Sequence, residues 1–148
     1  MAQTNVRLAV PRTGRALARR TTVGVGVALL AVLLTQAVVD ALAVDVGTTG
    51  PMSPFAAAPL IGTTIVAGIG AAGAYAVMTT VTDSPARNFV VLAVGVFVLM
   101  LLPVALVTPS MGVTPVGQAI LVLYHLLVAV PIVAFVVGAI GARSGRAE

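Results

Sequence analysis

Seven polar side chains within or at the ends of the long apolar runs of this 148-residue chain are the candidates for chemistry: Gln36, Asp40, Thr63, Thr64, Tyr75, Gln118 and His125. Polar groups are costly in lipid and generally face the interior of a helical bundle, so these are the places to look for chemistry. Gln36 and Asp40 are spaced i,i+4 and share one helical face. With span centres taken near residues 32 and 129, Gln36 and His125 each fall about 6 Å, and Asp40 about 12 Å, to one side of the midplane. The three can therefore meet. A histidine that titrates near neutral pH beside a carboxylate and an amide is the equipment of a proton- or solute-handling site. The alternative is plainer: His125 bonds a backbone carbonyl or Tyr124 lies lipidward at the interface, and Asp40 ends a helix among headgroups.

Enzymatic chemistry is poorly supplied. The chain has one His, no Cys, a Glu only at position 148, and Asp only at 40, 45 and 83, so no set of nucleophile, base and orienting group emerges, and the protein reads as non-enzymatic. Without Cys there are no disulfides, thiolate nucleophiles or Cys-held metal centres. Asp40 and Asp45 could join His125 in a weak metal site, but Asp83 falls across the bilayer and three convergent ligands do not follow from the spacing. No metal or cofactor is expected. Gly68-Ile69-Gly70-Ala71-Ala72-Gly73 matches G-x-G-x-x-G, the pattern of a dinucleotide site. Its context does not fit, because no strand is delimited before it and Asn88 and Phe89 stand where an acidic residue belongs.

The elements that must position these residues are membrane helices. The chain is 59% hydrophobic and 8% charged, against roughly 25% charged in soluble domains. Its mean hydropathy is +1.15. Four apolar runs, about 22–43, 59–81, 88–107 and 116–142, are each long enough to cross a hydrocarbon core of about 30 Å. The expected fold is therefore all-α, an integral membrane four-helix bundle with short loops and antiparallel neighbours. The second run is rich in Gly, Ala and Thr. Thr64, Gly68, Ala72, Ala76 and Thr80 recur every fourth residue, the small-xxx-small spacing of a packing hub.

Loops and ends carry the punctuation. Gly47, Gly50, Pro51 and Pro54 mark a first loop, and Thr108 to Pro115 a second. Ser84 and Thr114, each followed by Pro, are expected to cap the third and fourth helices. Pro103 and Pro131 should bend them, and Ala134, Gly138 and Ala142 give the fourth run an edge of small residues. All eight basic residues are Arg, in the N-terminal tail to residue 21, at Arg87, and in the C-terminal tail from 143, whereas the other two loops have none. Both termini are thus expected in the cytoplasm. Arg12, Arg15, Arg19 and Arg20 are either a lipid-facing charge that docks on anionic headgroups or an orientation signal. The pI near 11.2 follows from these flanks, so no nucleic-acid partner is expected. Ala41-Leu42-Ala43 resembles a signal-peptide cleavage site, but the run before it exceeds the usual apolar region and reads as an uncleaved anchor.

In layout the chain resembles small four-span prokaryotic membrane proteins grouped as families of unknown function. The Arg-rich tail, the Ala/Val/Gly-rich spans and the short loops carry that resemblance. Small four-span multidrug transporters are similar in size but hold a Glu in the first span, and no span here contains one. The resemblance implies a multi-pass protein of the cell membrane. Its partners would be the lipid bilayer and either further copies of itself or a membrane partner subunit. Two functions follow: a scaffold or accessory subunit of a membrane assembly, or a homo-oligomeric proton-coupled permease built on Gln36, Asp40 and His125.

Overall fold

The computed structural model describes residues 14–140, in which the regular elements are all helical. They are α1 (Gly14–Ala41), α2 (Ala57–Val81), α3 (Pro85–Leu106), a 3₁₀ turn (Thr108–Met111) and α4 (Pro115–Val136). All four α-helices are long and apolar enough to cross a membrane. The shortest have 22 residues and rise about 33 Å, just over the thickness of a hydrocarbon core. The protein is a multi-pass, all-helical membrane protein.

The bundle is organised on α1, which is sandwiched between α4 and α2. Small residues set both crossings. At Gly24 a Cβ would stand 3.1 Å from Phe135 Cβ and 3.3 Å from the Pro131 carbonyl oxygen, so α4 approaches to backbone contact. At Gly68 a Cβ would run into the Val25 side chain, which seats α2 against α1. Helix α3 is the outlier. It buries only Ala86, Phe89 and Val104, and the edge of Phe89 meets the Tyr75 ring at 5.3 Å. The start of α1 thus meets the end of α4, and the start of α3 the end of α2, as an antiparallel bundle with short loops requires.

Residues 42–56 fold back over one end of the bundle. Phe55 is buried and meets the Tyr124 ring edge-on at 6.3 Å. The Thr114 N–H donates to the Val46 carbonyl at 3.1 Å, and its hydroxyl donates to the Asp45 carbonyl at 2.8 Å while accepting from Gly117 N–H at 3.0 Å. One threonine thus caps α4 as the sequence predicts and also ties the two loops together. Gly117 makes room for this, because a Cβ there would lie 2.7 Å from the Val46 oxygen.

Helix ends differ from the sequence reading in three places. Helix α1 begins at Gly14 rather than near Thr22, which puts Arg15, Arg19 and Arg20 on the helix itself; Arg15 and Arg19 are exposed and Arg20 is half-buried. Arg12 lies outside the described residues, as do Arg143 and Arg146. Helix α4 ends at Val136, not 142, because Gly138 takes a left-handed conformation (φ 74°). The Gly138 and Ala139 N–H groups then close back on the Phe135 and Ala134 carbonyls, a Schellman stop in place of a small-residue edge. Ser84 occupies the cap position of α3 without a side-chain bond; the Thr82 hydroxyl instead accepts from Ser84 N–H (3.0 Å) and Asn88 Nδ2 (2.7 Å).

Candidate functional site

Of the three residues the sequence groups together, the structure joins two and turns the third away. Gln36 Nε2 donates to Asp40 Oδ1 at 2.7 Å within α1. The other end of that amide meets α4: the Tyr124 hydroxyl donates to Gln36 Oε1 at 2.6 Å. The resulting chain runs from a buried phenol through a half-buried amide to an exposed carboxylate. Each link has one sensible direction, since a phenol donates to the amide oxygen and the amide nitrogen donates to a carboxylate. Chemically this is a clamp between helices. It is a poor proton wire, because an amide passes a proton only through its disfavoured imidic acid form.

His125 belongs elsewhere. Tyr124 and His125 are about 100° apart around the helix, and the turn that sends Tyr124 to α1 sends His125 toward the space between α2, α3 and α4. Its Nδ1 stands 2.7 Å from the Leu121 carbonyl oxygen, one helical turn back. A carbonyl can only accept, so Nδ1 carries a proton. With α4 ending at Val136, His125 also lies at the middle of its helix, not displaced outward as a span to residue 142 would place it.

The space that His125 faces is a cavity of about 560 Å³. Ala67, Gly70, Ala71 and Ala74 of α2, Ala93 of α3 and Ala129 of α4 keep it open. Thr63 and Thr64 also line it, but their hydroxyls are engaged with the Pro59 and Leu60 carbonyls, both at 2.7 Å. Elsewhere Gln118 Nε2 donates to the Val104 carbonyl at 3.0 Å and to the Thr108 hydroxyl at 3.3 Å, tying the last turn of α3 to α4. Tyr75 is fully buried, and its hydroxyl has no hydrogen-bond partner among the described residues.

The residues expected to form one packing groove on α2 divide between two faces. Thr64 and Gly68 are buried, Ala72 is half-buried, and Ala76 and Thr80 are exposed. Four residues advance a helix by about 400°, so a row at that spacing drifts by about 40° per step and winds out of the interface. Gly62 and Gly73 share the outward face with Ala76 and Thr80, and a Cβ at either glycine would meet nothing. Among the described residues no three His, Asp or Glu side chains gather as a metal site would need.

A model described as a family of unknown function, DUF6069, matches residues 12–142. The chain belongs to that family. Neither the curated proteins nor the solved structures offer a match. The DUF6069 match covers all four helices and both loops, so the clamp, the cavity and the outward glycine face all lie within the family's domain.

The residue that sequence reasoning missed here is Tyr124, which only the plainer alternative considered, and set at the lipid interface. A signal was present: Leu121, Tyr124, Val128 and Ile132 follow a 3, 4, 4 spacing, the apolar face of α4 that the structure buries or half-buries.

Proposed function

We propose that this DUF6069 protein is a non-enzymatic subunit of an assembly in the cell membrane, with both termini in the cytoplasm, and that it offers the outward face of α2 to a transmembrane helix of another polypeptide. The observation that carries this reading is the distribution of glycines. Gly24, Gly68 and Gly117 are required by contacts inside the bundle, whereas Gly62 and Gly73 face open space; Gly26 on α1 and Gly95 on α3 do so too, but singly, and α2 alone carries two on one outward face. Glycine in a helix interior costs about 0.5–1 kcal/mol relative to alanine, and two such positions on one outward face allow another helix to reach backbone contact. The flanking Val66, Ile69 and Val77, at least 60% exposed, would form the ridges on either side.

The permease reading is less well supported. It relies on His125 acting with Gln36 and Asp40, and the clamp reaches Tyr124 instead. The chain's lack of native Cys provides a clean test. Single variants Gly62→Cys and Gly73→Cys, treated with a short bifunctional cross-linker in the native membrane, should both trap the same second polypeptide. Leu30→Cys, an exposed site on α1, should not. Trapping that is equal at all three positions, or absent from both α2 sites, would remove the basis for the reading.

A further inference from the structure

We propose that the cavity between α2, α3 and α4 is a binding site for an uncharged, largely apolar membrane molecule bearing one hydroxyl group, which donates its hydrogen bond to His125 Nε2. This inference does not depend on a partner at the outward face of α2, because the cavity lies on a different side of that helix.

The polarity of the lining determines the ligand class. Apart from His125, nearly all of the cavity wall is aliphatic, aromatic or glycine. Each hydroxyl that borders it has already committed its proton: Thr63 to Pro59, Thr64 to Leu60, and Tyr124 to Gln36. His125 Nδ1–H is committed to Leu121. In the neutral ring this leaves Nε2 as a lone-pair acceptor, and no partner for it is found among the described residues. The cavity therefore offers acceptors and no free donor. A hydroxyl complements it. A ketone, ester or ether of the same shape would bring a second acceptor and leave Nε2 unpaired, and such mismatches at buried polar groups are what produce strong discrimination.

Size and access agree with this assignment. The volume of about 560 Å³ falls within the roughly 300–1,000 Å³ typical of small-molecule sites, which are mostly apolar with a few placed polar groups. The cavity is open along one side rather than enclosed, so a molecule dissolved in the bilayer can reach it. The alanines and Gly70 that line α2 leave the space empty by omission of side chains, where Leu or Phe would have closed it.

The test uses the full chain in lipid nanodiscs with retinol as the hydroxyl probe and retinyl methyl ether as its donor-free counterpart. Because the chain has a single His, ¹⁵N-histidine labelling reports Nε2 without assignment. Retinol should bind saturably, about tenfold more tightly than the ether, the factor expected of one well-made hydrogen bond. It should also move the Nε2 resonance in the direction of an accepted hydrogen bond. In His125→Leu the preference should fall to about one. Gly70→Leu, whose side chain would enter the cavity, should lose both probes while helicity is unchanged; it serves as the control if His125→Leu folds poorly. Equal affinities for the two probes, an unmoved Nε2 resonance at saturation, or undiminished binding in Gly70→Leu would each overturn the proposal.

Discussion

Replacing Gly117 by Ala tests how tightly the loop of residues 42–56 is locked to α4. The added Cβ would sit 2.7 Å from the Val46 carbonyl oxygen, 2.8 Å from Val113 Cγ1 and 3.3 Å from Phe55 Cζ. Carbon and oxygen normally keep about 3.3 Å or more, so the loop must retreat by about half an ångström. That movement pulls the Val46 carbonyl away from Thr114 N–H, now at 3.1 Å. Overpacking of this kind costs about 1–3 kcal/mol, and a weakened backbone hydrogen bond about 0.5–1.5 more. The gain in helix propensity from Gly to Ala, about 1 kcal/mol in a helix interior, is smaller here in the first turn. The net expectation is a loss of about 1–3 kcal/mol. Gly73→Ala is the matched control, with open space around its Cβ, and should gain about 0.5–1 kcal/mol. Reversible unfolding in mixed micelles, followed by far-UV circular dichroism, measures both. If Gly117→Ala proves as stable as Gly73→Ala, the description of the loop as a locked plug is refuted.

Three further outcomes follow from single contacts. Tyr124→Phe removes the hydroxyl that joins α4 to Gln36 and should cost about 0.6–1.7 kcal/mol, the range for hydrogen bonds between membrane helices; in a double-mutant cycle with Gln36→Leu the two losses should not add. Ala43 is the one described non-glycine residue with positive φ, at 49°, so Ala43→Gly should raise stability by about 1 kcal/mol in the same unfolding assay, and a decrease would count against the left-handed stop after α1. Tyr75→Phe deletes a buried hydroxyl without a partner and should leave stability unchanged or raise it by up to about 2 kcal/mol, whereas a clear loss would reveal a partner for that hydroxyl.

The features legible in the sequence are those that a bilayer imposes on composition. Four helices follow from run length and hydropathy, and the Thr114 cap from Thr before Pro at the start of an apolar run. Features that depend on exact register were less legible. Gly138 reads equally well as a packing residue or a helix stop, and only its left-handed backbone decides between them. That choice shortens α4 by about one and a half turns and moves His125 to the helix midpoint. The small residues of α2 were recognisable as a spacing, yet the drift of an every-fourth row splits them between the α1 interface and the outer face. Tyr124 went unrecognised as the clamp's anchor because a span read to residue 142 displaces it from the midplane toward the interface, where an aromatic is as much at home as in a core. The 3, 4, 4 spacing of Leu121, Tyr124, Val128 and Ile132 points to the core, but it does not name Gln36 as the partner until α1 is placed.

The most direct test of the central claim is native mass spectrometry of the 14.8 kDa chain gently extracted from its own membrane. A subunit that offers the outward face of α2 to another helix should emerge in a stoichiometric complex with a different polypeptide, and Gly73→Leu should release it as a monomer of unchanged helicity. A chain that emerges alone or only with copies of itself, or a complex indifferent to Gly73→Leu, would contradict the claim.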